Sequence, residues 1–391
     1  MSEQHSFNQH SFVSHVDRQE YWIHQARPTH KKLAIVVTFY NELANANLRF
    51  AERLTYYQSL AQSHQDRFTL FLVDDGSTDG STEALQQFVR LNSDAFNVMT
   101  MPENRQKVGA YKTAISMIDS EYILLADFDT DLVGLEHVKQ TLTKLDGQPD
   151  YMGCTFKMLP VGDSSKLLTK YYQLNCILDR ISHRSLQAQG YVVIMHGAGS
   201  IYRRTALQNI LSEHSGFFDG DDTESTLIGY RLGYKAFYEP QIQTLTRIPS
   251  DYLTMHKQLL RWRQGHLRAR QQERDFLLDQ IARSTPFGEN LVALLSKDVM
   301  LVCFPFTILA LFVTNKRYAV GLFSIAYFYY VAEIVSMLAK ELREISDRHS
   351  LLIVPILPLL WLLLESPAQM WVVGRWLLSR FIGEKGEKEN D

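Results

Sequence analysis

The sequence predicts an α/β fold: a mostly parallel, Rossmann-like sheet of the doubly wound kind, followed by amphipathic helices and a membrane region. Two observations lead to this fold class. From Lys32 onward, short apolar runs alternate with stretches of helical spacing, which is typical of parallel strands covered by helices on both faces. Long apolar runs begin only after residue 297, whereas the preceding chain is mixed and polar.

The apolar runs and the helical stretches between them define the α/β region. The predicted strands are 33–41, 68–75, 95–101 and 121–129, and the predicted helices are 43–62, 80–91 and 107–119. In doubly wound sheets, ligands bind outside the carboxyl ends of the strands. The polar clusters YNE, DDGSTD and DFDTD all follow predicted strands, so we expect one ligand site at one edge of the sheet.

Composition excludes several classes of protein. The formal net charge of −3 over 391 residues gives no support for nucleic-acid binding, which normally needs a strong basic excess. The cysteines Cys154, Cys176 and Cys303 have no CxxC spacing, so we expect buried thiols in a reducing compartment rather than disulfides or a metal site. We also expect no secretory signal, because no basic segment precedes an apolar run at the amino terminus.

The carboxyl-terminal third contains the apolar runs 299–313, 318–339 and 351–364. The second has the length of a membrane-spanning helix, roughly 20 residues. The other two reach that length only if they extend through charged or proline residues, and buried core helices are the alternative for them. We therefore expect two or three transmembrane helices. Residues 165–187 and 251–280 are expected to form amphipathic helices at the membrane interface.

These patterns divide the chain into five segments. They are listed in chain order: an amino-terminal arm (1–30), a catalytic α/β domain (31–250), interface helices (251–297), a transmembrane region (298–380) and a polar tail (381–391). The arm is rich in histidine, but its spacing favours a loosely held segment over a zinc site.

The stretch FLVDDGSTDG ends an apolar run with the adjacent aspartates Asp74 and Asp75. Neighbouring carboxylates repel each other, so the pair is unfavourable unless something offsets it. One interpretation is a strand-to-helix turn in which Asp79 or Ser81 caps the next helix. The other is a ligand site, and this stretch alone does not decide between them.

A second acidic group, Asp127, Asp129 and Asp131, follows the apolar run YILLA. Side chains two residues apart share one face of a strand, so these carboxylates should point the same way. A divalent cation with oxygen ligands relieves their repulsion best, and Mg²⁺ is usually shared between carboxylates and substrate phosphates. The group therefore indicates Mg²⁺ or Mn²⁺ together with a nucleotide diphosphate.

In this order, the motifs resemble those of family-2 glycosyltransferases, which have the nucleotide-sugar-binding fold called GT-A. The resemblance covers roughly residues 33–265 and includes TFYNE (38–42), KVGAYKTA (107–114) and GAGSIYRRTAL (197–207). The segments FFDGDDTE (217–224) and QLLRW (258–262) are similar to the acidic and QxxRW motifs of the membrane-bound synthase branch. That branch includes cellulose, chitin, hyaluronan and poly-N-acetylglucosamine synthases.

The resemblance implies a role for each matching residue. Asp129 is implied as the direct metal ligand and Asp222 as the general base. Gln258, Arg261 and Trp262 would close over the diphosphate and the acceptor. The implied nucleotide-sugar-binding residues are Thr38, Tyr40, Glu42, Asp74, Asp75, Lys107, Asp127 and Gln258. One departure concerns Gln106, which stands where the family usually has glycine.

General chemistry agrees with these implied roles. Sugar transfer from a nucleotide needs a cation beside the leaving diphosphate and a base for the acceptor hydroxyl. Arg261 offers a permanently charged donor, and Trp262 a flat face for a sugar ring. The alternatives are that Arg261 and Trp262 anchor a helix at the membrane interface and that Asp222 caps a helix.

The resulting expectation is a membrane-anchored inverting glycosyltransferase of class EC 2.4 that faces the cytoplasm of a plasma or inner membrane. It would move a sugar from a UDP-sugar to a growing cell-surface glycan and form a β-linkage. The alternative is transfer of one or a few sugars to a membrane lipid. An oligomer is compatible with either, and a scaffold protein or a transporter is disfavoured by the intact carboxylates and the large polar region.

Overall fold

The computed structural model describes residues 21–45, 49–94, 96–163, 165–217, 219–249, 251–339 and 348–382. The strands in chain order are β1 (Trp22–His24), β2 (Leu33–Phe39), β3 (Thr69–Asp74), β4 (Asn97–Thr100), β5 (Tyr122–Asp127), β6 (Asp131–Val133), β7 (Tyr151–Val161), β8 (Ser200–Arg203) and β9 (Lys235–Arg247).

Helices connect and follow these strands. They are α1 (Phe50–Ser63), α2 (Ser81–Leu91), α3 (Gln106–Met117), α4 (Val138–Asp146), α5 (Leu167–Gln187), α6 (Arg204–Glu213), α7 (Asp221–Arg231), α8 (Tyr252–Gln272), α9 (Arg274–Ala282), α10 (Pro286–Thr314), α11 (Lys316–Ala339), α12 (Leu357–Leu360) and α13 (Ser366–Ile382). A 3₁₀ segment precedes α12, and a π-helical turn, Trp361–Glu365, joins α12 to α13.

The chain forms two compact units. The first comprises Met1–Asp129 and Ser200–Gly216, and the second comprises Thr130–Gly199 and Phe217–Asp391. In the first unit the strand order is β1-β4-β3-β2-β5-β8. The inner pairs β4-β3, β3-β2 and β2-β5 are parallel, while β1 and β8 pair antiparallel at the two ends.

The second unit contains strands in the order β7-β9-β6. β7 and β9 are parallel, with a register shift between Phe156 and Lys157, and β6 is antiparallel to β9. The predicted α/β fold with a mostly parallel sheet is therefore confirmed. The antiparallel strands β1, β6 and β8 are short or lie at an end of the described strand order. Sequence periodicity does not reveal strand direction.

Burial on both faces explains why the first strands read as continuous apolar runs. Every residue of β2 and of β3 is buried. On the helix side, α2 buries Leu85 and Val89, which lie four residues apart and therefore on one face. Burying each such side chain stabilises the fold by roughly 1.5–3 kcal/mol.

The ends of the predicted strands and helices up to residue 129 agree with the structure to within two residues, except that the helix predicted over 43–62 begins at Phe50. The amino-terminal arm was expected to be loose, but its residues 22–24 form β1. Residues 1–20 of the arm and 383–391 of the tail lie outside the described residues. The interface helix predicted over 251–280 is two helices, α8 and α9, which meet at Glu273.

Within the described part of the chain, three helical segments are long and apolar enough to cross a membrane: Pro286–Thr314, Lys316–Ala339 and Leu351–Ser379. The first begins well before the predicted apolar run, because Thr285 accepts a hydrogen bond from the Gly288 amide and Pro286 starts the helix. The predicted boundary at 297 therefore falls inside α10. Cys303, expected to be buried, is exposed on the same helix.

Within the second unit, the amphipathic helices α5 and α8 pack against the apolar helices. A single buried cluster includes Leu174 of α5, Met255 of α8, Leu301 of α10 and Leu357 of α12. The predicted interface helices thus share a hydrophobic core with the candidate membrane helices. This packing fixes α8, which carries the QLLRW segment, on that bundle.

Candidate functional site

The carboxyl ends of three parallel strands meet in the first unit. Thr38, near the end of β2, is aligned with Val73 of β3 and with Asp127 of β5. Parallel strands end at the same edge of their sheet, so the loops that follow them begin side by side. The structure therefore brings together the predicted groups 38–42, 74–75 and 127–129.

Asp74, the last residue of β3, has no exposed surface. Its Oδ1 accepts a hydrogen bond from the Ser77 amide (3.0 Å), and its Oδ2 accepts one from the Thr82 hydroxyl. Burial raises the pKa of Asp74, although the bonds from Ser77 and Thr82 oppose this. The Asp74 carboxylate thus bonds within its own loop, and its contact with a nucleotide stays a prediction.

Asp75 is also buried, with 3% of its surface exposed, but its carboxylate is less occupied. Its Oδ1 accepts a hydrogen bond from the Arg105 amide at 2.9 Å. Burial raises the pKa of Asp75 to about 6, the Arg105 bond lowers it in part, and the Asp74 charge raises it further. Of the adjacent pair, Asp75 is thus the carboxylate with hydrogen-bonding capacity left for a ligand.

Two loops that follow β2 and β3 are tied together by side-chain hydrogen bonds. Asn41 has a φ of 55°, its amide donates to the Ser77 hydroxyl (2.9 Å), and its Oδ1 accepts from the Thr78 amide (2.7 Å). Asp79 accepts a hydrogen bond from the Ala44 amide at 2.7 Å. Residues of the DDGSTD cluster other than Asp75 therefore build the loop. The prediction that Asp79 or Ser81 caps α2 is wrong, because Gly80 occupies the N-cap position and no side chain caps the helix.

Gly76 shows why this loop needs glycine. It has a φ of 71°, and a Cβ atom there would lie 2.5 Å from the backbone carbon of Glu103. Any other residue would have to displace main-chain atoms. The glycine therefore lets the 103–105 backbone, including the Arg105 amide, approach Asp75.

The residues that flank this loop include three carboxylates and one lysine. Lys107 Nζ lies 2.7 Å from Asp127 Oδ1. Burial raises the pKa of Glu42, and the negative charges of Asp129 and Asp127 raise it further, against a hydrogen bond from Asn45. This excess of negative charge, carried by oxygen donors, suits a hard divalent cation. Thr38 is buried beside the group and Tyr40 is 41% exposed.

Two helix side chains hold the backbone between Asp127 and Asp129. Arg53 Nε donates to the Phe128 carbonyl (2.9 Å), and the Tyr57 hydroxyl donates to the carbonyls of Asp127 (3.2 Å) and Phe128 (3.1 Å). Both side chains lie on α1 and are buried. Neither residue was predicted from the sequence, where the available signal was an arginine four residues before a tyrosine in a predicted helix.

Gln106 occupies the position where the resembling family usually has glycine. It begins α3 with a φ of 60°, the left-handed region that favours glycine. The loop thus has the glycine-type conformation with a non-glycine residue. Strain of this kind is concentrated at functional sites, and here it lies next to Lys107.

In the second unit, Asp222 lies in the first turn of α7. Gly220 occupies the N-cap position with a φ of 79°, so Asp222 is not the capping residue. Asp222 Oδ1 accepts from the Thr223 amide (2.8 Å), and Oδ2 faces the Gly197 amide at 3.5 Å. A carboxylate at a helix amino terminus is stabilised by the helix dipole. The carboxylate is half-buried, and its role as the general base stays a prediction.

A close backbone contact joins the start of α7 to α8. A Cβ atom on Gly265 would lie 2.5 Å from the Asp219 carbon and the Gly220 nitrogen, and one on Gly220 would meet the Gly265 backbone. Both positions therefore require glycine. The contact fixes the acidic segment against the helix that carries QLLRW, and sequence analysis did not identify Gly265.

The predicted residues of the QLLRW segment have different surroundings on α8. Gln258 Oε1 accepts a hydrogen bond from the Tyr172 hydroxyl of α5 at 2.8 Å. Arg261 Nε lies 3.5 Å from Asp219 Oδ1, while burial raises the pKa of Asp219 against the charges of Arg261 and Arg268. Trp262 is 41% exposed, so its ring is available as a stacking surface.

Beyond Trp262, α8 contributes two arginines to a buried ionic network. Arg263 pairs with Asp298 of α10 (2.6 Å) and with Glu365, and Arg270 also pairs with Asp298 (2.7 Å). The Tyr171 hydroxyl donates to Glu365 at 2.6 Å. Each carboxylate has an arginine partner, and the network holds α8 to the candidate membrane helices. No local sequence pattern predicted it.

Comparison with known proteins identifies the domain around the strand-end site. Residues 34–211 match the model of the family described as glycosyl transferase family 2. The chain contains a family 2 glycosyltransferase domain. This confirms the resemblance at the level of the family, while membership of the QxxRW branch stays a prediction.

Curated relatives cover parts of the chain. It is 25% identical over 251 residues to an N-acetylglucosaminyltransferase of Azorhizobium caulinodans, across 61% of this chain and 60% of that protein. It is 34% identical over 127 residues to a dolichyl-phosphate beta-glucosyltransferase of Mus musculus, across 31% of this chain and 39% of that protein. The chain therefore matches less than two thirds of the length of either relative.

Among solved structures, a mannosyltransferase, PcManGT from Pyrobaculum calidifontis, in complex with GDP-Man and Mn²⁺, is similar across 90% of this chain and 88% of that one. The TM-score is 0.53 and the identity 16%. At this identity the likeness concerns the fold alone. It confirms the GT-A fold of the family 2 domain, followed by helices that include the candidate membrane spans.

Proposed function

We propose that this protein is an inverting glycosyltransferase of class EC 2.4 that moves a sugar from a UDP-sugar to a growing glycan and forms a β-linkage in cell-surface polysaccharide synthesis. The acidic group at the strand ends carries the proposal. Glu42, Asp127 and Asp129 bring three carboxylates close enough that the charges of Asp129 and Asp127 raise the pKa of Glu42, with Lys107 paired to Asp127. A divalent cation with a bound diphosphate would satisfy this group.

The strand-end residues have distinct roles in donor binding. Asp75, with part of its carboxylate unoccupied, would accept an N–H of the nucleobase, beside Thr38 and Tyr40. Asp129 would hold Mg²⁺ or Mn²⁺, and the Asp127–Lys107 pair would flank the diphosphate. When bound, the cation would neutralise charge on the leaving diphosphate.

The residues of the second unit would act on the acceptor. Asp222 would take the proton of the acceptor hydroxyl, since its carboxylate is half-buried and held by amides at a helix amino terminus. A single base without a covalent intermediate gives inversion, and therefore a β-product from an α-linked donor. Arg261 would contact phosphate oxygens, Trp262 would stack on a sugar ring, and Gln258 would support them.

A membrane lipid is the second candidate acceptor. The similarity to a dolichyl-phosphate beta-glucosyltransferase supports it. The described residues contain three candidate membrane helices, few for a polymer channel in one copy. A lipid tail needs no channel, because it stays in the bilayer while its head group reaches the base. In either case we propose that the catalytic residues face the cytoplasm.

A donor panel tests the proposed activity. Purified protein with Mn²⁺ is incubated with radiolabelled UDP-sugars, with and without lipid extract, and the products are sized. We expect transfer from one UDP-sugar. The absence of transfer from every donor, both with and without lipid extract, would contradict the proposal. Lipid-dependent, organic-soluble products indicate the lipid acceptor, whereas high-molecular-mass product from protein and donor alone indicates polysaccharide synthesis.

The base assignment is tested with neighbouring aspartates. Asp222→Asn should lower transfer by on the order of 10²-fold or more while UDP binding is retained, because a positioned base contributes about that much. Asp221→Asn is the matched control, since it removes a carboxylate from the same helix turn. Equal losses of donor affinity and turnover in Asp222→Asn, or a larger loss in Asp221→Asn, would reject Asp222 as the base.

A further inference from the structure

A cluster of one carboxylate and two imidazoles lies in the second unit. Asp179 and His183 are one turn apart on α5, and His196 lies in the segment that leads to β8. Asp179 Oδ2 is 3.2 Å from His183 Nε2 and 3.3 Å from His196 Nε2, and the two Nε2 atoms are 3.2 Å apart. His183 is 1% exposed and His196 14%. These atoms could bind a metal ion or form a hydrogen-bonded group.

The Val193 amide distinguishes these two possibilities. It donates a hydrogen bond to His183 Nδ1 at 3.2 Å, so Nδ1 carries a lone pair and the proton of the neutral ring is on Nε2. A metal at Nε2 would move the proton to Nδ1 and place two N–H donors against each other. The ring is also stacked on Tyr238, with centroids 5.4 Å apart. His183 is therefore a hydrogen-bond donor to Asp179.

The surroundings of His196 favour its protonated form. Burial alone would lower the pKa of His196, but the hydrogen bond and charge of Asp179, and then the charge of Asp222, raise it above its ordinary value. Burial would raise the pKa of Asp179, but the hydrogen bonds from His183 and His196 and the charge of a protonated His196 lower it. When protonated, His196 therefore interacts electrostatically with two carboxylates, Asp179 and Asp222.

The backbone around His196 is fastened to the helix that carries Asp222. The Met195 amide donates to Thr226 Oγ1 (2.9 Å), and that hydroxyl donates to the Asp222 carbonyl (2.6 Å). The His196 amide donates to Thr155 of β7 at 3.1 Å. The next amide, Gly197, faces Asp222 Oδ2. A shift of the His196 ring would therefore also move an amide that faces the carboxylate.

We propose that Asp179 and His183 hold His196 as a cationic positioning residue for Asp222. The imidazolium attracts the Asp222 carboxylate, and the anchored segment aims the Gly197 amide at its Oδ2. The inference rests on the proposed function, because it assigns Asp222 as the proton acceptor. The groups described around His196 are Asp179 and His183 on α5 and Asp222 on α7.

The electrostatic part is tested without any sugar transfer. The protein is labelled with ¹³C-histidine in detergent, and the His196 resonance, assigned by loss in His196→Gln, is titrated by NMR. The His196 pKa is expected above 6.5 in the wild type and lower in both Asp179→Asn and Asp222→Asn. An unchanged His196 titration in Asp222→Asn would overturn the proposal, whether or not the protein proves to be a transferase.

Kinetics test the positioning part. His196→Gln is expected to lower kcat by about 10- to 100-fold with the KM for the donor unchanged, because misplacing a catalytic group costs on this order. The wild-type kcat should also fall on the alkaline side as His196 loses its proton, and His196→Gln should lack this limb. His137→Gln is the control, since His137 pairs with Glu136 at the surface.

Three results would contradict the positioning role. One is an equal fall in kcat and donor affinity in His196→Gln, and another is an unchanged alkaline limb in that variant. The third is stoichiometric Zn²⁺ in the purified wild type, measured by elemental mass spectrometry, that is lost in His183→Gln. The last result would establish the cluster as a metal site instead.

Discussion

The carboxylates at the strand ends of the first unit and those of the ionic network in the second unit differ in how many positively charged partners they have. In the network, Asp298 and Glu365 each pair with arginine, and Arg263 and Arg270 supply two positive charges. At the strand ends, Lys107 pairs with Asp127, and the carboxylates of Glu42 and Asp129 add negative charge close by.

This difference separates a structural role from a binding role. A buried charge pair that is complete needs nothing more from solution, and breaking it leaves a buried charge without its partner. A cluster of carboxylates with excess negative charge destabilises the fold by itself. Such a cluster is typical of a site where a bound ligand neutralises the charge. Variants of the strand-end carboxylates should therefore change ligand binding and turnover, whereas variants of the ionic network should change the stability of the fold.

The largest expected effect is on turnover at the strand ends. Asp129→Asn keeps the side-chain volume but removes an anionic oxygen, so we expect transfer to fall by about 10³-fold, the loss of several kcal/mol of charge stabilisation. UDP binding should also lose its dependence on Mn²⁺, measured by calorimetry. Asp119→Asn, an exposed carboxylate, is the control and should leave both unchanged. Near-normal transfer that EDTA does not inhibit would reject the metal assignment.

The second effect is on stability in the ionic network. Asp298→Asn removes the shared partner of Arg263 and Arg270, so we expect the free energy of unfolding to fall by about 3 kcal/mol. The measurement is the apparent Tm in detergent. Asp129→Asn should leave Tm unchanged or raise it, because it relieves repulsion, and the exposed Asp275→Asn is neutral. A larger loss of Tm in Asp129→Asn than in Asp298→Asn would contradict the comparison.

A smaller effect concerns pH and the nucleobase. The pKa of Asp75 is raised to about 6, chiefly by burial, and only its ionised form accepts an N–H with both oxygens. Uridine affinity should therefore rise from pH 5 to pH 7 and be about tenfold weaker at pH 5, where about a tenth of the group is ionised. Uridine has no phosphate, so the metal site does not contribute. Saturation-transfer NMR measures the affinity, and a flat pH profile would rule out this contact.

The sequence predicted the parts of the fold that depend on local pattern. β2 and β3 are buried on both faces, so their continuous apolar runs identify them as strands. The polar residues at their ends indicate where the candidate site lies. It did not distinguish Asp74 from Asp75, because adjacent strand residues point to opposite sides and only the fold shows which loop each one meets. The network of Arg263, Asp298 and Glu365 joins residues far apart in sequence, where no periodicity applies.

The smallest expected effect concerns backbone strain beside the strand-end group. Gln106 has a φ of 60° and is exposed, so its side chain contributes little packing. A non-glycine residue in this region costs about 1–2 kcal/mol, and glycine loses about 0.5–1 kcal/mol of extra entropy on folding. Gln106→Gly should therefore stabilise the fold by roughly 0.5–1 kcal/mol, measured as a rise in Tm. Gln87→Gly, inside α2, is the matched control and should lower stability by about 1 kcal/mol. A lower Tm in Gln106→Gly would show that the strained turn is held by contacts of the glutamine itself. Unchanged transfer in the stabilised variant would show that the glycine-type conformation, rather than the residue, serves the site.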